Sequence, residues 1–560
     1  MNVNPLVGRV VAALALVSAC YAPLVNATPG QPGTLDASWG TLSPLGAGKV
    51  STDIGSRDDS AAAMTRQPDS KVLLAGTCYD GTNNDFCVAR YTPNGTLDTS
   101  WNGTGKVITA IGSGSDTASA MTLQPDGKVL LAGKCDNNSG YYEFCATRYN
   151  ANGTLDLTWN GTGQVMTTIN GAWDSAQAIT LQPDGKVLLA GTCYIGPGSD
   201  FCAARYNLNG TLDTTWNGTG KVITTISGAW DSAHAITLQP DGKVLLAGRC
   251  YTSPSTDFCA TRYNANGTLD TTWNGTGKVI TDIGIVSGSA AAVTVQPDGK
   301  VLLAGYCYNG GNNEYCATRY NANGTLDTTW NGTGRVITAM GGGDGTASAM
   351  TLQPDGKVLL AGTCSSDFCA ARYNANGSLD TSWNGTGKLL SAIGSGYDSA
   401  GAITLQPDGK VLLAGYCYNG TNNDFCAARY NSNGTLDTTW NSTGKVITAI
   451  GSSDDTSTAM TLQPDGRVLL AGNCRNGTYT EFCVARYDGG PFGYQNCKLD
   501  IDGDGSVLAT TDMLIGNRVA LGITGSAVVN GVAFPPTATR NTWPLIRDYL
   551  VTQCGMSLQQ

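Results

Sequence analysis

Residues 181–193 read Leu-Gln-Pro-Asp-Gly-Lys-Val-Leu-Leu-Ala-Gly-Thr-Cys, and this phrase or a close variant occurs eight times in the 560-residue chain. The glutamine of each copy stands at position 67, 124, 182, 239, 296, 353, 406 or 463, so successive copies are 53 to 58 residues apart. A regular period of this length, in segments rich in Gly, Thr and Val, predicts one small β-unit that is repeated so that neighbouring units bury a shared core.

Each repeat predicts four short strands. In the seventh repeat we expect them at 400–405, 410–417, 425–430 and 445–450. The turn at 406–409, Gln-Pro-Asp-Gly, joins the first two strands, with Pro at its second position and Gly where a positive φ is needed. Four antiparallel strands per repeat, with no helical pattern between them, are typical of a propeller blade.

The two ends of the array are complementary. The motif Gly-Thr-Leu-Asp, once Gly-Ser-Leu-Asp, also occurs eight times, but its first copy at 33–36 precedes the first Gln-Pro-Asp turn, and the eighth repeat ends at Tyr487 without one. A lone fourth strand near 49–54 therefore opens the array, and three strands close it. Pairing these ends leaves no sheet edge exposed. The sequence thus favours an all-β, eight-bladed β-propeller, closed by its N- and C-terminal strands, over an open solenoid.

The repeats resemble those of the delta-60 repeat family of bacterial β-propeller proteins. The resemblance covers residues 33–487 and lies in Leu-Gln-Pro-Asp-Gly-Lys, the following apolar strand, the Ala-Arg-Tyr strand and Gly-Thr-Leu-Asp, in that order. The first repeat departs from the pattern at Arg66 and Ser70, and the paired cysteines described below are not part of it. The resemblance implies a propeller fold and an exported location, and it implies no reaction.

The N-terminus is typical of an exported chain. Arg9, an apolar run at 10–17 and Val25-Asn26-Ala27 predict a secretory signal peptide at 1–27, followed by a propeller domain at 28–489. An alternative is a lipoprotein signal, because Val17-Ser18-Ala19-Cys20 is close to a lipoprotein processing box, and Cys20 would then carry a lipid anchor. The expected location is secreted or cell-surface, with membrane attachment only if Cys20 is lipidated.

Sixteen of the 19 cysteines fall as one pair per repeat, on either side of the predicted loop between the second and third strands. Facing positions on adjacent strands suit disulfide geometry, and such bonds persist in exported proteins. A zinc site is the alternative, but a single histidine and a variable spacing argue against it. The predicted disulfides are Cys78–Cys87, Cys135–Cys145, Cys193–Cys202, Cys250–Cys259, Cys307–Cys316, Cys364–Cys369, Cys417–Cys426 and Cys474–Cys483, with Cys497–Cys554 in the C-terminal segment.

The segment at 490–560 breaks the repeat and predicts a small helical calcium-binding module. Its sequence Asp-Ile-Asp-Gly-Asp-Gly-Ser at 500–506 spaces carboxylates at positions 1, 3 and 5 of a tight loop, which suits a hard cation such as Ca²⁺. The predicted ligands are Asp500, Asp502, Asp504, the backbone carbonyl of Ser506, and Asp512. The loop resembles those of dockerins and EF-hands, but its closing acid stands at position 13 instead of 12, and the second loop that dockerins carry is missing. An ordinary Asp/Gly turn is the alternative.

No nucleophile motif, P-loop or histidine cluster is present, and the only histidine, His234, stands where other repeats have Gln177 or Gly401. We therefore expect no enzymatic activity. A net charge of −10 with evenly spread Lys and Arg disfavours nucleic acid and anionic lipid as partners. The Arg of each Arg-Tyr pair, such as Arg205-Tyr206 and Arg429-Tyr430, and the Asp of each Gly-Thr-Leu-Asp recur in the repeats and predict a structural ion pair or turn bond.

Variation among the repeats gathers in the loops after the first cysteine and before the first strand, which share one face of a blade. Binding surfaces of repeat proteins are often on the variable side. The candidate ligand residues there are Asp59, Asp116, Asp174, Asp231, Asp398, Asp455, Trp173 and Trp230. The aspartates form either an acidic ring at the mouth of the central channel or backbone bonds at the blade seam; the tryptophans either stack on sugar rings or cover the seam.

These observations predict an exported, non-enzymatic propeller for binding, adhesion or scaffolding at the cell surface. Its partner would be a protein or glycan ligand on the variable face. The alternative function is a polysaccharide hydrolase or lyase that works in the central cleft of the propeller.

Overall fold

The computed structural model describes residues 31–489, apart from 138, 172, 229, 285 and 286, and residues 500–552, apart from 505, 507–509 and 521–524. The predicted signal peptide at 1–27, Cys20 and the predicted Cys497–Cys554 bond lie outside the described residues. Among the described residues, no helix has the length and apolar character that crossing a membrane requires.

The propeller consists of strands β1 to β32, which form eight antiparallel four-stranded sheets, as predicted. The first strands of blades 1 to 8 are Asp59–Arg66 (β2), Asp116–Leu123 (β6), Ser175–Leu181 (β10), Ser232–Leu238 (β14), Gly288–Val295 (β18), Gly345–Leu352 (β22), Asp398–Leu405 (β26) and Asp455–Leu462 (β30). The second strands are Val72–Tyr79 (β3), Val129–Asp136 (β7), Val187–Ile195 (β11), Val244–Tyr251 (β15), Val301–Tyr308 (β19), Val358–Cys364 (β23), Val411–Tyr418 (β27) and Val468–Asn476 (β31).

The outer half of each blade is built in the same way. The third strands are Asn84–Tyr91 (β4), Tyr142–Tyr149 (β8), Gly198–Tyr206 (β12), Thr256–Tyr263 (β16), Asn313–Tyr320 (β20), Asp367–Tyr373 (β24), Asn423–Tyr430 (β28) and Tyr479–Tyr487 (β32). The fourth strands are Lys106–Thr109 (β5), Gln164–Thr167 (β9), Lys221–Thr224 (β13), Lys278–Thr281 (β17), Arg335–Thr338 (β21), Lys388–Ser391 (β25), Lys445–Thr448 (β29) and, for blade 8, Lys49–Thr52 (β1).

The core lies in the seams between blades. The second strands read Val-Leu-Leu-Ala-Gly and are buried at every one of these positions, because adjacent blades cover both faces of each sheet. In the seam between blades 2 and 3, for example, Leu130 and Phe144 pack against Val187 and Leu189 around the buried Trp159. Each further seam has an equivalent apolar cluster.

The ring closes in blade 8, where β1 pairs with β32 and completes the sheet of β30, β31 and β32. The N–H of Asp36 donates to the Arg486 carbonyl at 2.8 Å, and the Arg486 guanidinium lies 2.8 Å from the Asp36 carboxylate. The predicted closure by the chain ends is therefore confirmed.

A small helical unit follows the propeller in the chain. It contains α1 (Asp512–Ala520), a short 3₁₀ helix (Gly525–Val528) and α2 (Trp543–Thr552). Apolar side chains from these elements and from the loop before α1 form a separate buried cluster, which includes Ile501, Ile515 and Ile546. The predicted helical character of this segment is thus confirmed.

Candidate functional site: the loop face and the C-terminal acidic loop

We call one surface of the ring the loop face. It is formed by the loops between second and third strands and by the connections from each fourth strand to the first strand of the next blade. The eight predicted intra-blade disulfides lie directly beneath it, between strands whose cysteine Cα atoms are 5.7 to 5.9 Å apart. All sixteen cysteines are fully buried. Eight buried disulfides indicate that the protein matures in an oxidising environment.

Six aspartates stand at or directly before the start of a first strand, and all are completely buried beneath this face: Asp59, Asp116, Asp174, Asp231, Asp398 and Asp455. Asp174 is representative, because its Oδ2 accepts the N–H groups of Ile169 at 2.7 Å and Asn170 at 3.2 Å. These bonds fix the turn that leads from one blade to the next. The prediction of an acidic ring that is open to solvent at the mouth of the central channel is therefore wrong. The alternative prediction, that these aspartates bond to backbone groups at the blade seam, agrees with the structure.

Burial raises the pKa of several of these carboxyl groups. It raises the pKa of Asp59 and of Asp455 to about 6, although backbone N–H bonds act in the opposite direction. The pKa values of Asp116 and Asp174 are raised for the same reason. These shifts follow from desolvation of the charged form.

A second set of acids was missed by the sequence reasoning. Every blade has an acidic residue two positions before its second cysteine: Asp85, Glu143, Asp200, Asp257, Glu314, Asp367, Asp424 and Glu481. Six of the eight are buried. The signal was visible in the sequence as an acidic residue at the same place in the third strand of all eight repeats, two positions before the second cysteine.

In blades 2, 4 and 7 the third-strand acid anchors the variable loop to the blade. The Asn137 amide donates to Glu143 Oε1 at 2.7 Å, and the Asn419 amide donates to Asp424 Oδ2 at 2.7 Å. Burial, followed by the charges of Asp80 and Asp116, raises the pKa of Asp85 to about 7. The acids are thus repeated structural groups beneath the loop face.

The loop face exposes aromatic side chains. Among the described residues, five aromatic side chains expose 43 to 52 % of their surface: Tyr141, Trp173, Trp230, Tyr397 and Tyr479. All five lie on the loop face. Trp173 contacts Tyr142 with ring centroids 5.4 Å apart, and Trp230 contacts Tyr194 at 5.8 Å. Both tryptophans of the predicted ligand face are therefore half-exposed and supported by a neighbouring ring.

The recurrent Arg and Asp residues form the predicted ion pairs on the opposite side of the ring. In blade 3, Arg205 and Lys186 each lie 2.8 Å from Asp213 Oδ2. Arg205 also donates to the Ala265 carbonyl of the next blade, and its guanidinium lies over the Trp216 ring at 5.5 Å. This network ties adjacent blades together and is structural.

His234 lies in the first strand of blade 4. Its Nδ1 is 3.1 Å from the Ala290 carbonyl of the next blade, and burial, then the charge of Arg249, lower its pKa despite that bond. The equivalent residue Thr458 makes the same kind of contact, to the Ala61 carbonyl. The contact therefore belongs to the blade-to-blade packing of first strands.

The C-terminal acidic loop brings three predicted ligands together. Carboxylate oxygens of Asp500, Asp502 and Asp504 lie within 4.8 Å of one another. Asp512 Oδ1 accepts the Asp502 N–H at 2.9 Å, and the Ser506 N–H donates to Asp504 Oδ1 at 2.7 Å. The carboxylates of the three aspartates thus lie together, and hydrogen bonds connect the Asp512 side chain and the Ser506 backbone to two of these aspartates.

One feature of this loop favours a cation. Asp502 is fully buried, and its Oδ2 has no hydrogen-bond partner. Burial, and the nearby charges of Asp512, Asp504 and Asp500, raise its pKa against a backbone bond from Asp504. A buried, unpartnered carboxylate oxygen within a cluster of three acids is a donor set that fits a hard divalent ion.

Comparison with solved structures finds other propellers at low identity. Sqt1 from Chaetomium thermophilum, solved bound to the N-terminus of ribosomal protein L10, is 13 % identical, with a TM-score of 0.44 over 78 % of this chain and 98 % of that chain. The polysaccharide lyase Uly1 is 11 % identical, with a TM-score of 0.37 over 84 % of this chain and 95 % of that chain. A PL25 ulvan lyase is 9 % identical, with a TM-score of 0.38 over 65 % and 93 %. Scores this low carry no functional argument.

Comparison with curated proteins finds no match. A family model described as a domain of unknown function (DUF5122) β-propeller matches seven of the eight repeats. The matched residues are 67–100, 124–158, 182–215, 239–272, 296–329, 353–382 and 406–439. These matches agree with the delta-60-like resemblance of the repeat motif and with the eight-bladed ring, and the chain belongs to the DUF5122 β-propeller family.

Proposed function

We propose that this protein is an exported, non-enzymatic propeller that binds a ligand at the cell surface through its loop face. The observation that carries the proposal is the segregation of exposed aromatic side chains onto that face, above buried disulfides and loop-anchoring acids. Half-exposed Trp and Tyr side chains contribute large contact areas at small entropic cost, which is why binding surfaces are enriched in them.

The titratable groups support a binding role over catalysis. The carboxyl groups with raised pKa values, such as Asp59 and Asp85, are buried, and their equivalents recur around the ring. A catalytic acid or base must reach the proton that it transfers. Groups that are buried in one blade after another are better explained as supports for turns and loops.

The test measures binding of fluorescently labelled mature protein to washed envelopes of the producing cells. Replacing Trp173, Trp230, Tyr397 and Tyr479 together by Ala should weaken binding by more than about tenfold, since buried aromatic contacts dominate such interfaces. The matched control replaces Leu157 and Leu208, which are exposed on the opposite face, and should bind like the wild type. Absence of wild-type binding, or equal losses in both variants, would contradict the proposal.

We also propose that the C-terminal acidic loop binds one Ca²⁺ through Asp500, Asp502, Asp504, the Ser506 carbonyl and Asp512. The buried, unpartnered Asp502 Oδ2 supports this assignment. Calorimetric titration of the full mature chain with CaCl₂ should give one site, which Asp502→Asn removes. Asp355→Asn, a change of an exposed turn carboxylate in the propeller, should leave the titration unchanged. A site that survives Asp502→Asn, or no site in the wild type, would overturn the assignment.

A further inference from the structure

The aromatic cluster of the loop face is concentrated where blades 2, 3 and 4 adjoin. Trp173 precedes the first strand of blade 3, and Trp230 precedes the first strand of blade 4, so both occupy the same position in consecutive repeats. Each exposes 52 % of its surface. We call Tyr141, Tyr142 and Trp173 the first station, and Tyr194 and Trp230 the second station.

Both stations are fixed by main-chain contacts. The N–H of Asp174, next to Trp173, donates to the Tyr142 carbonyl at 2.8 Å. Trp230 forms a bridge with Ser199, and the N–H of Asp231 donates to the Ser199 carbonyl at 2.7 Å. The buried side chains of Asp174 and Asp231 then cap the turns that carry the two tryptophans. Hydrogen bonds therefore hold the residue that follows each tryptophan, and such preorganisation lowers the entropic cost of binding.

The rings also have defined mutual geometry. Tyr141 meets Trp173 edge to face, with an interplanar angle of 89° and centroids 6.3 Å apart. Tyr142 supports Trp173 from a second direction, and Lys134 Nζ lies 4.4 Å from the Tyr142 centroid. The packing around Trp173 is thus settled before any ligand binds, while half of its surface stays open.

The side chains around the two stations favour a glycan over a protein as the ligand. The exposed aliphatic side chains of the described propeller lie elsewhere, on the fourth strands or on the opposite face: Leu42, Leu157, Met166, Leu208, Ile223, Ile280, Ile337, Leu390 and Ile447. The segments beside the rings are mostly small or polar, such as Ser-Gly at 139–140, and the apolar exceptions are Ile195, which packs partly against the core, and the exposed Pro197. A protein-binding core combines aromatic with aliphatic side chains, whereas these rings stand among hydrogen-bonding groups.

We propose that the two stations form a stacking platform for the pyranose rings of a polysaccharide, an inference that rests on the proposed binding role of the loop face. The C–H groups on one side of a pyranose ring pack on the negative face of an indole or phenol ring. The hydroxyl groups at its edge then bond to the neighbouring Ser, Asn and backbone groups. Two stations on consecutive blades select an extended chain over a single sugar.

The test is affinity electrophoresis of the full mature protein in gels that contain laminarin, xyloglucan, mannan or polygalacturonate. At least one of these should retard the wild type. Trp173→Ala and Trp230→Ala should each weaken that retardation roughly five- to tenfold, and the double variant should abolish it. Trp173→Phe, which keeps a stacking ring, should retain most of the binding. Leu208→Ala is the control, since Leu208 is exposed on the opposite face and lies outside the proposed binding surface.

The outcomes separate this inference from the proposed function. Failure of all four polysaccharides to retard the wild type, or full binding by the double variant, would overturn the platform. If envelope binding then still depends on the loop face and is destroyed by protease but not by periodate, the ligand is a protein and the proposed function stands. Unchanged melting temperatures of the variants would show that a loss of binding does not reflect unfolding.

Discussion

Ser70 shows how one residue departs from a backbone requirement that its repeat imposes. The Gln-Pro-Asp-Gly turn places its fourth residue at positive φ, and Gly127, in the second blade, has φ of 83° there. Ser70 occupies the same position in the first blade with φ of 65°. A side chain with a Cβ atom is disfavoured in this region by about 1 kcal/mol or more.

We therefore predict that Ser70→Gly raises the free energy of unfolding by about 1 kcal/mol, less the entropy that Gly adds to the unfolded chain. The reverse change at the equivalent site, Gly127→Ser, should lower it by a similar amount. Chemical denaturation of both variants against the wild type measures the two effects. Equal stability of Gly127→Ser and the wild type would show that the turn tolerates a side chain.

At the scale of the element, strand boundaries show what the repeat motif can and cannot predict. The second and third strands of blade 7 were predicted within two residues, the second because its apolar run is continuous and the third because its motif recurs in every repeat. The fourth strand of blade 7 was expected to reach Ile450, but it ends at Thr448. The Ile450 N–H donates to the buried Asp455 side chain instead of to the ladder. A side-chain acceptor five residues away is not evident from strand periodicity.

The same limit applies to the candidate site. Alternation along a strand separates its two faces, but both faces of an inner propeller strand are covered, one by the preceding blade and one by the next. The sequence therefore predicts the correct face of the ring for Asp174 and Asp231, but only the structure shows that they are buried. The exposed positions of Trp173 and Trp230 follow from the turns that those aspartates cap.

The close approach of first and second strands depends on glycine. A Cβ atom at Gly191 would lie 2.0 Å from the Ser175 carbonyl oxygen, and the first strand carries a bulge at this place, between Ala176 and Ala178. We predict that Gly191→Ala destabilises the protein by about 3 kcal/mol or more, since the two backbones must separate. Gly401→Ala is the control, because a Cβ atom there meets nothing within 4 Å. Calorimetric unfolding of both variants tests the prediction, and equal melting temperatures would contradict it.

At the scale of the whole molecule, the ring is closed by the same contacts that join its internal seams. Arg205 and Asp213 are eight residues apart, whereas Arg486 and Asp36, which make the equivalent pair, are 450 residues apart. The closing sheet must therefore overcome the loop-closure entropy of nearly the entire propeller. Closure forms the four residue pairs of β1 with β32 and the apolar seam between blades 8 and 1, and these contacts offset that cost.

The buried acids around the ring predict how stability varies with pH. Burial and the charges of Asp80 and Asp116 raise the pKa of Asp85 to about 7, and burial raises the pKa of Asp59 and Asp455 to about 6. Unfolding returns each to the ordinary value of about 4. Between these values the native state binds more protons than the unfolded state, so stability falls as pH rises from about 4 to about 7.

The ion-paired acids act in the opposite direction at lower pH. Burial raises the pKa of Asp213, but the hydrogen bond from Lys186, the Thr215 hydroxyl and the charge of Arg205 outweigh it, and the pKa falls to about 2. The contribution of such groups is present above the ordinary value of about 4 and is lost as pH falls towards 2. The two sets together place maximum stability near pH 4 to 5, which is more acidic than is usual for a folded domain.

Melting temperatures measured from pH 3 to pH 8 at constant calcium concentration should therefore peak near pH 4 to 5 and decline towards pH 8. Asp85→Asn should reduce that decline. The amide cannot ionise, so it adds no buried negative charge beside Asp116 as the pH rises. Asp126→Asn, which changes an exposed turn carboxylate, should leave the profile unaltered. A wild-type melting temperature that is as high at pH 8 as at pH 4.5 would contradict this prediction, because it would show that the buried acids ionise without a cost in stability. Water would then have to reach these carboxyl groups in the folded protein.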